Sequence, residues 1–262
     1  MTPDLTFSRL SGGPDSPRLL VVGPSLGTSV TALWGRCAAL LGDRFEVVGW
    51  DLPGHGSSPA ATAPFSLTEI ATAVRERAVE LADGRPAAYA GVSLGGVVGF
   101  ELAGHPGPFS AVASIASEPR IGEPGAWRER AALVRSAGTP VMVSASAERW
   151  FAPGFAERQP DVVAVLLTSL SDADQRSYAW ACEALADVDP GGPALRPVVP
   201  LLVLPGEHDV VVPPAAAEAA TSRLPGADLG VLVGCGHLPP AEDPAATAAA
   251  LAGFLVGAEA VR

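Results

Sequence analysis

The 262-residue chain contains no lysine and no asparagine, and all 17 of its basic residues are arginine. Without lysine there is no Schiff-base amine and no phosphate-loop ammonium; without asparagine a Cys–His–Asn triad cannot be assembled. Cysteine is scarce too. Cys37, Cys182 and Cys235 are odd in number and lack Cys-x-x-Cys spacing, which argues against a disulfide framework and a zinc site. Reduced thiols are expected, some of them buried as small apolar residues. No apolar run reaches the roughly 20 residues that cross a bilayer. Met1 to Leu10 lack the basic head and apolar stretch of a secretory leader, so the default expectation is a cytoplasmic protein with no membrane partner. The net charge is −11 and no Arg-rich run is present, so nucleic acid is not an expected partner. An anionic substrate would need a local cation in its pocket.

What is present is a globular composition, 48% hydrophobic and 17% charged, long enough for one large α/β domain. Short apolar runs alternate with helical periodicity. Strands are expected at Arg18 to Val22, Phe45 to Trp50, Ala87 to Ala90, Ala111 to Ile115, Pro200 to Leu204 and Leu229 to Val233. Helices are expected at Leu67 to Leu81 (capped by Ser66 or Thr68), Leu94 to Ala103 and Pro244 to Val256. Apolar strands separated by helices predict a mostly parallel sheet with helices on both faces. Residues 118–195 break that rhythm. Helical segments at Ala126 to Ala137, Pro160 to Ser169 and Asp172 to Leu185 predict a helical cap, inserted into a core made of residues 1–117 and 196–262. Gly191-Gly192-Pro193 and Pro197 would return the chain to the sheet.

The chemistry centres on Gly91-Val92-Ser93-Leu94-Gly95, between a strand and a helix. A turn this tight strains the central residue and leaves no room for bulky neighbours, which the flanking glycines provide. Ser93 is then exposed at a helix N-terminus, where the dipole favours developing negative charge. A serine needs a base and an orienting acid. Asp209 ends the turn after Leu201 to Leu204, and His237 ends the turn after Leu229 to Val233, so both fall past strand ends. Glu207 is the alternative acid, while His55, His105 and His208 read as loop-bracing or surface residues. The oxyanion of acyl transfer needs backbone N–H donors. Leu94 should supply one. The loop Gly23 to Thr28 should supply the other, from Ser25 or, as second choice, Leu26, because Pro24 has no N–H.

Gly91 to Gly95, Gly206-Glu207-His208-Asp209 and Gly234-Cys235-Gly236-His237 together resemble the α/β-hydrolase superfamily. Four further segments are similar to its 3-oxoadipate enol-lactonase branch. They are Ser25 to Thr28 with Trp34, Asp51 to Ser57, Arg149 to Phe155, and Ser177 to Leu185. The resemblance implies an α/β-hydrolase fold and a carboxylic ester hydrolase that opens an enol-lactone in aromatic catabolism, with Ser93, Asp209 and His237 catalytic. It implies Trp150 as a pocket-lining cap residue and no metal or organic cofactor. Such a substrate carries a carboxylate, for which cap residues Arg149, Arg130 and Arg128 are the candidates, Arg149 first because it adjoins Trp150. The same triad serves a general carboxylesterase, and a non-catalytic ligand-binding member of the fold is a remote alternative.

Overall fold

The computed structural model describes residues 2–189 and 196–257. Its sheet is built from β1 (Phe7–Ser11), β2 (Leu19–Gly23), β3 (Glu46–Trp50), β4 (Ala87–Val92), β5 (Phe109–Ile115), β6 (Leu201–Leu204) and β7 (Ala227–Leu229). The spatial order is β1-β3-β2-β4-β5-β6-β7. Every neighbouring pair is parallel except the edge pair β1–β3. All residues of β2, β3, β4 and β6 are buried, as a sheet covered on both faces requires.

The core helices before the insertion are α1 (Val30–Ala39), α2 (Leu67–Ala82) and α3 (Leu94–Gly104). Ser66 starts α2 through a reciprocal capping box with Glu69. α3 follows β4 after a single residue, and nearly every one of its side chains is buried, so its apolar sequence is that of a core helix. Between β5 and β6 the chain inserts α4 (Pro124–Ala137), a 3-10 turn (Thr139–Met142), α5 (Val143–Trp150), α6 (Phe155–Arg158), α7 (Pro160–Asp172) and α8 (Gln175–Ala186). The first and last of these are tied by a bidentate Arg135–Glu183 pair, at 2.5 and 2.7 Å. The start of α8 returns to the core, where Asp174 N–H donates to Gly54 O at 2.7 Å and Ala61 N–H donates to Ser177 Oγ at 2.9 Å. After the insertion the core is completed by α9 (Pro214–Thr221), α10 (Pro239–Glu242) and α11 (Pro244–Gly257).

Two expectations are corrected. The last strand is Ala227–Leu229, not Leu229 to Val233; beyond it only Leu232 bridges to Gly206. Val231 and Val233 are 47% and 71% exposed, so this apolar run is an uncovered rim and not a buried strand. Asp172 closes α7 and does not open α8, whose cap is Asp174 accepting from Ser177 N–H at 2.8 Å. The periodicity also passes over β1, α1, α5, α6, α9 and α10, whereas α11 lies where it was expected. The Gly191-Gly192-Pro193 return lies outside the described residues. Cys37, Cys182 and Cys235 are free and buried. No helix among the described residues is long and apolar enough to cross a membrane.

Candidate active site

Ser93 joins β4 to α3 with φ 54° and ψ −115°, one of three non-glycine residues with positive φ among those described. Such a conformation costs about 1–3 kcal/mol and persists only where its surroundings enforce it. They do so here. Ser93 N–H donates to Ile115 O at 2.9 Å, and Ser93 O accepts from Ser117 Oγ at 2.8 Å. A Cβ on Gly91 would strike the Gly95 carbonyl, and one on Gly95 would sit 2.6 Å from Pro24 O. The two glycines thus let the elbow close on itself and let the β2 loop lie against it. That loop is held there by Gly95 N–H donating to Pro24 O at 3.0 Å.

Asp209 and His237 meet across the turns that follow β6 and β7. Asp209 Oδ2 lies 2.8 Å from His237 Nδ1. A buried carboxylate can only accept, which places the proton on Nδ1 and leaves Nε2 as the basic nitrogen. Asp209 Oδ1 accepts from Val211 N–H at 2.7 Å and Val212 N–H at 3.0 Å, fixing the carboxylate's orientation. The two turns touch without side chains between them, since a Cβ on Gly206 would strike Gly236 O, and His208 N–H donates to Cys235 O at 2.8 Å. Ser93, Asp209 and His237 are 7%, 3% and 2% exposed, so the site is nearly closed to solvent.

In the β2 loop the two candidate N–H groups differ in their partners. Ser25 N–H, the first choice, is taken by Thr28 Oγ1 at 3.2 Å, while that hydroxyl donates back to Ser25 O at 2.9 Å. Among the described residues the N–H groups of Leu26 and Leu94 have no acceptor. Of the two candidates, Ser25 and Leu26, the second choice is thus the one whose N–H is without an acceptor among the described residues. The sequence did contain the reason, a threonine three residues after Ser25.

The inserted helices close over this edge. A Cβ on Gly27 would lie 2.5 Å from Leu170 Cδ1 and 3.5 Å from Trp150 Cη2, so the β2 loop is roofed by α7 and α5. Trp150 is buried, and its carbonyl accepts from His237 N–H at 2.8 Å. One residue thus links the β2 loop to the histidine loop. Arg149 is half-buried and its Nε donates to Ala145 O at 2.9 Å. Burial and the neighbouring Arg130 hold its guanidinium below the ordinary arginine range. Arg130 stacks on Trp127 at 4.6 Å, and its charge opposes the burial that pushes the nearby Tyr178 phenol up. Neither Arg130 nor Arg149 forms an ion pair among the described residues, whereas Arg128 is committed to Asp187 at 2.7 Å.

The competing residues are placed elsewhere. Glu207 is half exposed and accepts from Gly234 N–H at 2.9 Å, whereas the His237 Nδ1 bond goes to Asp209. His208 is exposed. His55 is buried against Tyr178 and donates Nδ1–H to Pro53 O at 2.9 Å; burial drives its pKa down to about 4, so it stays neutral and braces its loop as expected. Glu242, which no sequence pattern singles out, places its carboxylate under the histidine loop.

The chain matches the model of the alpha/beta hydrolase family over residues 12–250. It is 34% identical over 239 residues to 3-oxoadipate enol-lactonase 2 of Acinetobacter baylyi, covering 90% of this chain and 87% of that one. It is 31% identical over 217 residues to the pimeloyl-[acyl-carrier protein] methyl ester esterase of Vibrio cholerae, covering 79% and 83%. The crystal structure of the enol-lactonase from Burkholderia xenovorans LB400 superposes with a TM-score of 0.87 at 30% identity, over 96% of both chains. In fold and in sequence alike, this chain belongs to the alpha/beta hydrolase family.

Proposed function

We propose that the chain is a serine hydrolase that opens the lactone ring of 3-oxoadipate enol-lactone, with Ser93 as nucleophile, His237 as base and Asp209 as the acid that orients the base. The observation that carries this reading is the 2.8 Å bond from His237 Nδ1 to Asp209 Oδ2, in a chain whose Ser93 is held at positive φ in a strand-to-helix turn. His237 Nε2 takes the Ser93 proton as Oγ attacks the lactone carbonyl, and the N–H groups of Leu94 and Leu26 receive the oxyanion. Collapse expels the ring oxygen as an enol, protonated from His237, which becomes the ketone. Water, deprotonated by His237, then attacks the acyl-serine and frees the second carboxylate. No step calls for a metal or organic cofactor.

Residues 118–195 serve as the cap over a core of residues 1–117 and 196–262. In that cap Trp150 lines the pocket, and Arg149 with Arg130 binds the carboxylate that the lactone already carries. Two neighbouring guanidinium groups without an ion-paired carboxylate form a site whose repulsion an anion relieves. The relatives support the lactone reading, being enol-lactonases at up to 34% identity. A second reading, hydrolysis of a small carboxylic ester, has support from the methyl ester esterase relatives, which share the family but act on an acyclic ester. Loss of the enol-lactone's ultraviolet absorbance with formation of 3-oxoadipate tests the first reading against p-nitrophenyl acetate as comparison. Ser93→Ala should abolish turnover of both with an unchanged circular dichroism spectrum. Turnover confined to the simple ester would set the lactone assignment aside, and an active alanine variant would refute the nucleophile.

A further inference from the structure

The histidine loop is held by a group outside the proposed triad. Glu242 closes α10, five residues beyond His237, and points its half-buried carboxylate back under the loop. Oε1 accepts from Gly236 N–H and Leu238 N–H, each at 3.0 Å. Oε2 accepts from Gly236 N–H at 3.0 Å and from Ala152 N–H, in the inserted segment, at 2.7 Å. Between the two clamped amides, His237 N–H donates to Trp150 O at 2.8 Å. Three consecutive main-chain amides, 236 to 238, are thus all committed, and both partners sit on one seam with Trp150 and Ala152. The seam is tight, since a Cβ on Gly236 would lie 2.7 Å from Ala152 N and 2.8 Å from Phe151 C.

We propose that Glu242 is a positioning residue: its carboxylate fixes the main chain on both sides of His237 and locks that segment to the Trp150–Ala152 strip, setting the depth and angle at which the imidazole meets Ser93. This rests on the reading of His237 as the base. Burial raises the Glu242 carboxyl above the usual carboxylate range despite its backbone donors and His237. The four backbone bonds to its oxygens and the His237 charge act against that shift without cancelling it. Its donors are the N-cap amide of its own short helix at Leu238, the Gly236 amide of the histidine loop and, across the seam, the Ala152 amide of the inserted segment.

Glu242→Gln is the informative change. Each oxygen faces two N–H donors, so either orientation of the amide sets an NH2 group against two of them. Turnover of p-nitrophenyl acetate, counted per serine titrated by a fluorophosphonate probe, divides out any loss of folded protein. The expected result is a kcat lowered at least about tenfold, toward the roughly hundredfold that a 1 Å misplacement costs, with KM within about twofold of wild type. Glu242→Asp, which keeps the charge on a shorter arm, should recover part of that loss. A Glu242→Gln protein with kcat per titrated serine within about threefold of wild type, or one altered only in KM, overturns the proposal. If the glutamine variant does not fold, the aspartate variant decides: lowered kcat at unchanged KM supports the role, and wild-type kcat overturns it. A wild-type protein that neither turns over the ester nor takes the probe would instead refute the Ser93–His237 reading itself.

Discussion

Asp209→Asn tests the orienting acid, and the structure sets bounds on the loss. The aspartate uses both oxygens: Oδ1 on the N–H groups of Val211 and Val212, Oδ2 on His237 Nδ1. In the asparagine variant the amide oxygen stays with the two backbone donors, because turning it round would face an NH2 group toward both. The NH2 then points at His237 Nδ1, which must become the acceptor, and the proton moves to Nε2, the nitrogen that has to receive the Ser93 proton. Escape by rotating the amide leaves two buried donors unmet, at about 1–3 kcal/mol each. The productive orientation is then populated at roughly one part in 30 at the weak end of that range, and near one in 10⁴ at the strong end, where it meets the 10⁴-fold drop seen when a triad acid becomes its amide. Turnover should therefore fall between about 30-fold and 10⁴-fold, up to about 5 kcal/mol of transition-state stabilisation, with little change in KM. The assay is release of p-nitrophenolate from p-nitrophenyl acetate by purified protein whose melting temperature confirms folding. Glu207→Gln is the control, since that carboxylate is half exposed and bonds Gly234. An Asp209→Asn protein retaining activity within about threefold, or a larger loss from the Glu207 change, would refute the assignment.

Two further outcomes follow from other parts of the molecule. Arg149→Met and Arg130→Met should each raise KM for the enol-lactone at least about tenfold while leaving p-nitrophenyl acetate nearly unaffected, because a charge-assisted bond to a carboxylate is worth roughly 1.5–3 kcal/mol and the neutral ester has none to lose. Equal effects on both substrates would assign the arginines to cap structure. Away from the site, Glu46 is 2% exposed and paired with Arg85 at 2.7 Å and Arg9 at 2.8 Å. Burial opposes its ionisation, but the two arginines outweigh it and hold its pKa below the ordinary value. A depressed carboxyl stabilises the fold above its unfolded pKa, and that stability is lost as pH falls through the folded pKa. Glu46→Gln should thus lower the unfolding free energy by about 1–3 kcal/mol at pH 7, reduced from the full charged-bond value because Arg9 is half exposed, and should shrink the loss between about pH 5 and the folded pKa. Urea denaturation at both pH values measures it; an unchanged pH dependence would mean another group governs acid stability.

How far the site could be read from the chain depends on whether each residue's partner was local. The Ser93 turn was legible because the glycines that make room for it, at 91 and 95, lie within two residues on either side, although the bonds that hold it come from Ile115 and Ser117. Asp209 and His237 were legible because a turn after an apolar strand is a local pattern, even though the last strand was placed two residues late, on valines that are exposed. The edge strand β1 was not legible: its Phe-Ser-Arg-Leu-Ser pattern is half-buried at most, so neither burial nor alternation marks it. Ser25 was preferred over Leu26 by position alone, a reading that did not weigh the Thr28 hydroxyl that accepts from its amide. Glu242 carried no motif that singled it out. Its donors at 236 and 238 are close in the chain, but the third, at 152, reaches it only when the inserted helices fold back on the last turn. Residues that perform the proposed chemistry are thus set by short-range backbone geometry, which sequence patterns capture. Residues that hold the chemistry in register are set by the seam between insertion and core, and a seam of that kind becomes visible only once both sides are in place.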